Sequence, residues 1–292
     1  MWPRIKWVDT SIEHHGNNTN NKKCVIVIPV YKQEPNMFEK ESLKQVVKVL
    51  GDKYELVLVL PKALDVNIYN KIGNYEFSIL RCNGDFFKSQ RSYSDLCEMW
   101  QFYNAFSEYE FMVIYQLDAW IFEDKINYFI EKNYDYIGAP HLVGFGGRKE
   151  GENGNGGFCL RRIKPFLEVC KKTDFSRFGN FEDCAFTQQL KSNFKLAPIE
   201  LCREFSFQEL PHIMYQKNNN RLPMGCHAFR KNNERFWRQY ISAYNNKEYK
   251  EEKDAINKGL LELMYGQIDG IDTGAYRLKK FEAIKRRVIK KH

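Results

Sequence analysis

A few short stretches of this 292-residue chain carry side chains whose types and spacing suit chemistry. Asp118 stands near the end of an apolar run, FMVIYQLDAWIF (111–122). A carboxylate there is costly to bury unless it pairs, caps a turn or binds a ligand. Backbone amides of a tight turn would satisfy it as well as a ligand would. Glu182 and Asp183 are adjacent, at the expected start of a helix after a turn. One account of them is favourable charge at the positive helix end. The other makes one carboxylate a general base for an incoming hydroxyl. His227, within LPMGCHAF (222–229), reads either as an ordinary core histidine or as a ligand. Residues 144–157 contain seven glycines, whose backbone amides suit the cradling of phosphate or sugar oxygens, or simply a lid. This loop is not the dinucleotide fingerprint, because it does not open a helix after the first strand, and the Walker lysine is missing.

The elements that must position these residues alternate in type. Residues 23–31 (KCVIVIPVY) form a continuous β-branched run, as expected of a strand buried on both faces. Residues 38–50 have helical spacing and end at Gly51, and 54–61 and 77–82 are further buried runs. A long helix is predicted over about 89–108, with Tyr93, Leu96, Trp100, Tyr103 and Phe106 on one face. The 111–122 run is a fourth strand, followed by a helix at 125–132 and a strand at 134–140. This alternation predicts an α/β fold with a mainly parallel sheet. Ligands bind such sheets beyond the carboxyl ends of the strands, where Pro29, Tyr31, Gln116 and Asp118 fall. After Pro140 a strand is expected at 158–162, helices at 164–172 and 182–192, and a charged helical remainder from about Lys231.

Charge and composition exclude several classes. The net charge is +8, but the last fourteen residues, KKFEAIKRRVIKKH, hold seven Lys/Arg and one Glu, leaving the body close to neutral. A nucleic-acid-binding body would spread a basic face over the fold, so no nucleic-acid partner is expected. In the tail Leu278, Phe281, Ile284, Val288 and Ile289 have near-helical spacing between basic residues, a pattern suited to an anionic membrane surface. A solvated terminal helix is the plainer account. The eight cysteines are scattered, without a C-x-x-C pair, and are expected to be free thiols. The polar, Asn-rich residues 1–22 read as a loose arm, and no signal-peptide core or membrane-spanning run is visible. A cytoplasmic protein, peripheral on a membrane at most, is expected.

Together and in this order, these stretches resemble the GT-A glycosyltransferases. They are most similar to the bacterial and fungal glycosyltransferase-like group formerly catalogued as a domain of unknown function. The resemblance rests on YQLDAWIF (115–122), YIGAP (136–140), GNGGFCLRR (154–162), FEDCAF (181–186) and MGCHAF (224–229), and runs from about Cys24 to Phe229. It implies a Rossmann-like, mixed and mainly parallel sheet flanked by helices. The domain would cover 23–230, with 23–140 as nucleotide-binding half and 141–230 as acceptor half, and a helical extension over 231–292. The implied activity moves a sugar from a nucleotide-sugar donor to a hydroxyl of a surface polysaccharide or glycolipid. The alternative is a nucleotide- or carbohydrate-binding protein that kept the fold without the chemistry. A nucleotidyltransferase would carry glycines just after the first strand, and YKQEPNMFEK (31–40) has none.

By the same resemblance Pro29 and Tyr31 line the nucleobase pocket, and Gln116 and Asp118 bind the donor. Asp118 matches the first acid of a D-x-D, and His227 the late histidine that completes a Mn²⁺ or Mg²⁺ site. The second acid is replaced by Trp120, which leaves metal use open. Without a metal, the leaving diphosphate needs Lys or Arg, and Arg148, Lys149, Arg161 and Arg162 are near in sequence. Asp183 is implied as the base and Glu182 as an acceptor ligand. Gly156 and Gly157 let the backbone approach the acceptor sugar.

Overall fold

Strand β1 (Cys24–Pro29) is buried along its whole length, and its side chains divide between two cores. Cys24, Ile26 and Ile28 enter one core, and Val25 and Val27 the other, as the two-residue period of a strand requires. Strands β2 (Glu55–Pro61) and β4 (Phe111–Tyr115) alternate in the same way. A run apolar at every position is therefore a strand with helices over both faces. The computed structural model describes residues 5–7, 11–15, 22–141, 154–178, 181–251 and 253–254.

Helix α1 (Met37–Leu50) joins β1 to β2, and α2 (Asn67–Gly73) leads to β3 (Ser78–Cys82). Helices α3 (Gln90–Cys97) and α4 (Trp100–Ala105) precede β4. After β4 come β5 (Trp120–Ile121), α5 (Ile126–Glu131), β6 (Tyr136–Gly138), β7 (Phe158–Arg162) and α6 (Ile163–Lys172). The chain continues through α7 (Glu182–Cys184), α8 (Ile199–Phe205), β8 (Ser206–Phe207), α9 (Pro211–Lys217), β9 (Gly225–Cys226) and α10 (Glu234–Trp237). The main sheet has the order β3-β2-β1-β4-β7-β6. All its pairings up to β4 are parallel, and β7 runs antiparallel to both β4 and β6. The expected α/β class, with a mixed and mainly parallel sheet, is the one observed. A small second sheet has the order β5-β9-β8.

Several expected elements break where polar groups intervene. The 111–122 run is two strands, because residues 116–119 form a turn closed by Ala119 N–H donating to the Gln116 carbonyl at 2.8 Å. The predicted helix over 89–108 is interrupted at Met99, whose backbone is extended, and Trp100 thereby leaves the buried face. Only the first turn of the 182–192 helix is α-helical, and Ala185–Gln189 continues as a π-helical turn. Residues on both sides of position 141 contribute to the main sheet, since β7 is inserted between β4 and β6. Contacts divide the chain into the units Met1–Gln239 and Tyr240–His292. In the second, the described residues include a 3-10 turn at Ser242–Asn245. The basic tail, most of the Gly-rich loop and part of the N-terminal arm lie outside the described residues. All eight cysteines are free and buried. Among the described residues no helix is long and apolar enough to cross a membrane.

Candidate active site

A cleft of about 620 Å³ opens at the carboxyl ends of β1 and β4. Pro29, Tyr31, Gln116 and Asp118 all line it, as the sheet topology predicts. Tyr31 is 54% exposed and its ring stacks on Phe87 with centroids 6.5 Å apart. This leaves an aromatic face turned to the cleft. The opposite wall is the start of α1. Asn36 caps that helix by accepting from Glu39 N–H at 3.0 Å, and Glu39 returns the bond by accepting from Asn36 N–H at 2.8 Å. Lys32 Nζ lies 2.5 Å from Glu39 Oε1, which ties the end of β1 to the same cap.

Asp118 sits in the turn after β4. His227 Nε2 donates to its Oδ1 at 3.0 Å, and Lys231 Nζ lies 3.5 Å from its Oδ2. Burial pushes the Asp118 carboxyl up, but the charge and hydrogen bond of His227, followed by Lys231, outweigh this. The carboxyl is held well below the usual carboxylate range. His227 Nε2 is also 3.2 Å from Gln116 Oε1, and Nδ1 meets the side-chain amide of Gln208 at 3.2 Å. His227 does not itself line the cleft, but it contacts Asp118 and Gln116, which do, and so sits among three polar side chains. The ring belongs to the site.

Gly156 and Gly157 connect this cluster to the acid pair. A Cβ on Gly157 would lie 2.2 Å from His227 Nε2, and one on Gly156 would lie 2.6 Å from Glu182 Oε1. With consecutive Cα atoms about 3.8 Å apart, the imidazole and the Glu182 carboxylate flank neighbouring residues of one strand entrance. Gly157 O accepts from Gln116 N–H at 2.9 Å, which locks that entrance to the end of β4.

The acid pair itself is buried, and it does not line the cleft. Both Glu182 oxygens are engaged: Oε2 accepts from Ser94 Oγ at 2.8 Å and Oε1 from Arg161 Nη2 at 3.2 Å. Asp183, 5% exposed, accepts from Cys184 N–H at 2.8 Å, and its Cβ is 3.3 Å from where a Gly156 Cβ would stand. Arg161 is wholly buried in this pair, and Arg162 turns to Asp135 and Glu110. Arg148 and Lys149 lie outside the described residues.

The model of the family described as "Protein of unknown function (DUF5672)" matches residues 76–227. This chain belongs to the DUF5672 family. The matched stretch runs from β3 to His227 and takes in Gln116, Asp118, Gly156, Gly157, Glu182 and Asp183. No curated protein matches the chain. Among solved structures it is similar to the glycosyltransferase GlyE of Streptococcus pneumoniae, at 13% identity and a TM-score of 0.46, over 70% of this chain and 54% of that one. It is similar to the galactosyltransferase LgtC at 12% identity and a TM-score of 0.45, over 77% and 94% of the two chains. Mouse xyloside xylosyltransferase 1 is similar at 10% identity and a TM-score of 0.45, over 70% and 97%.

The side chains of this DUF5672 protein do not suit a divalent cation at Asp118. Trp120, in place of a second acid, is buried in β5 with its ring 6.2 Å from that of Phe229. The donors that remain are one carboxylate, one imidazole and one amide. Their single negative charge already faces the Lys231 ammonium, against which a dication would be placed. Among the described residues no group of three or more His, Cys, Asp or Glu is arranged to hold a metal.

Sequence reasoning missed several residues of the site. Phe87, Arg230 and Lys231 line the cleft, but an aromatic or basic residue carries no local signature of a ligand wall. His141 is 2% exposed, its Nε2 has no hydrogen-bond partner among the described residues, and its Nδ1 is 3.6 Å from Glu209 Oε1. That nitrogen would meet a Cβ on Gly154 at 2.8 Å, beside Thr187 Oγ1. Its place directly after YIGAP (136–140) and before the Gly-rich loop was the available signal.

Proposed function

We propose that this chain is a glycosyltransferase that moves a sugar from a nucleotide-sugar donor to a hydroxyl of a polysaccharide or glycolipid acceptor. What supports the reading is one juxtaposition: a cleft with an exposed aromatic face and basic walls, joined through Gly156–Gly157 to the Glu182–Asp183 pair. The nucleobase stacks against Tyr31, and Asp118 accepts from a donor hydroxyl. The acceptor oxygen attacks the anomeric carbon and gives its proton to Asp183. The bond to the diphosphate breaks, and the nucleoside diphosphate leaves with the electron pair. Positive groups aimed at that developing charge supply most of the stabilisation.

The burial of Asp183 favours one alternative, a nucleotide-binding protein without transfer. The test has two stages. Thermal unfolding is measured against a panel of nucleoside diphosphates; a true donor nucleotide at about 100 times its dissociation constant adds roughly 2.7 kcal/mol of stability. Release of that diphosphate from the matching nucleotide sugars is then followed, with water as default acceptor and with saccharides added. Binding with release supports the transferase. Binding without release favours the alternative, and no stabilisation by any nucleotide defeats both.

A further inference from the structure

We infer that the cleft holds the donor diphosphate with Arg230 and Lys231, so that nucleotide binding needs no divalent metal. The inference rests on the donor reading above and deepens it. Four cations line the cleft (Lys32, Lys88, Arg230 and Lys231) against two carboxylates, Glu39 and Asp118. Glu39 is paired with Lys32 at 2.5 Å, Asp118 lies 3.5 Å from Lys231, and Lys88 pairs with Asp85 at 2.6 Å, so Arg230 is the lining cation left unbalanced among the described residues. The excess is positive, as an anionic ligand requires and as a dication does not.

The two basic residues are placed by the backbone. Ala228 follows His227 at φ 51°, a left-handed conformation uncommon for a residue with a Cβ. It turns the chain so that Lys231 N–H donates to the Ala228 carbonyl at 3.0 Å and Asn232 N–H to the same oxygen at 3.1 Å. This turn brings residues 230–231 to the rim of the cleft, where the Lys231 side chain is 73% exposed. Arg230 has no carboxylate partner among the described residues, and its guanidinium lies over the Phe38 ring, 4.1 Å from the centroid. Stacked on an aromatic face, a guanidinium keeps its edge free for two parallel hydrogen bonds to a phosphate. Lys231, beside Asp118, supplies a compact charge where a metal ion would otherwise bridge carboxylate and diphosphate. Backbone strain of this kind gathers at ligand sites, where the fold holds it in place.

The experiment titrates the full chain by calorimetry with UDP, GDP, CDP, ADP and dTDP, in EDTA and again with Mn²⁺ or Mg²⁺. The expected result is equal affinity for one nucleotide in both. Arg230→Ala and Lys231→Ala should each raise its dissociation constant about tenfold or more. Lys44→Ala, which removes one charge from the exposed Lys44–Glu41 pair on α1, should leave it unchanged. Unfolding midpoints of the free variants check that each is folded. Binding seen only with metal overturns the inference while the donor reading stands. Equal binding by wild type and both variants in EDTA also overturns it. Absence of binding in every buffer overturns the donor reading and the inference with it.

Discussion

Gly157 is pressed against His227 so closely that a Cβ on the glycine would lie 2.2 Å from the imidazole Nε2, the nitrogen that bonds Asp118. No side chain larger than hydrogen fits without moving the ring. Gly157→Ala should therefore cost about 1–3 kcal/mol of stability and detach His227 from Asp118. Urea unfolding gives the first quantity, and the imidazole resonances of His227 report the second. An alanine variant with unchanged stability and spectrum would refute the packing.

Glu182 and Arg161 form a buried pair at 3.2 Å. Glu182→Ala leaves the guanidinium without its carboxylate and should cost about 3–5 kcal/mol. Chemical denaturation measures it. A loss under about 1 kcal/mol would instead suit an exposed acid reserved for substrate.

Asp183 is the proposed base. Asp183→Asn should lower turnover about 10²–10⁴-fold while the affinity for the donor nucleotide holds. Diphosphate release and calorimetry on the same preparation separate the two. Undiminished turnover would pass the proton to another group, with His141 the first to examine.

Tyr31 is expected to stack on the donor base. Since it is exposed, Tyr31→Ala should leave unfolding unchanged and weaken nucleotide binding by about 1–3 kcal/mol. Equal affinity in the two proteins would remove the base from this wall.

Glu98 governs one pH dependence of stability. Burial raises its carboxyl from the ordinary 4.5 to about 8, with Arg91 opposing and Glu182 and Asp95 adding to the rise. Among the described residues its Oε1 has no hydrogen-bond partner, while Arg91 Nη2 donates to Oε2 at 2.5 Å. Between 4.5 and about 8 the folded protein keeps a proton that the unfolded chain has lost. The contribution is whole below the lower value and disappears as pH rises through the upper one. Glu98→Gln should flatten the fall in unfolding midpoint between pH 5 and 8. A wild-type profile already flat there would contradict the raised value.

The main sheet was legible because β1 and β4, and β2 after Glu55, are apolar at every position, as a strand between two cores requires. The cleft wall followed from topology, since Pro29, Tyr31, Gln116 and Asp118 fall where strands end. Tertiary groups decided the rest. Nothing local marks Met99 as extended, or Gln116 as the residue whose carbonyl closes a turn. Glu182 looked like Asp183 in sequence, and only the partners Ser94, 88 residues away, and Arg161, 21 away, distinguish them. Arg161 and Arg162 were taken together as candidate clamps, but strand alternation sends one into the core and the other outward. Arg230 and Lys231 reach the cleft through the conformation of Ala228, which no residue type announces.

Because β7 lies between β4 and β6, the two halves expected on either side of residue 141 share a single hydrogen-bonded ladder. Tyr115 is paired with Phe158, and the next peptide of each strand carries Gln116 and Gly157. A hinge between the halves would have to tear this ladder, so the molecule has no jaws to close at that boundary. His227 and Glu182, packed against Gly157 and Gly156, are held along a fixed ruler rather than on a swinging arm. Substitutions in the side chains and loops around that ruler leave the spacing between its ends constant.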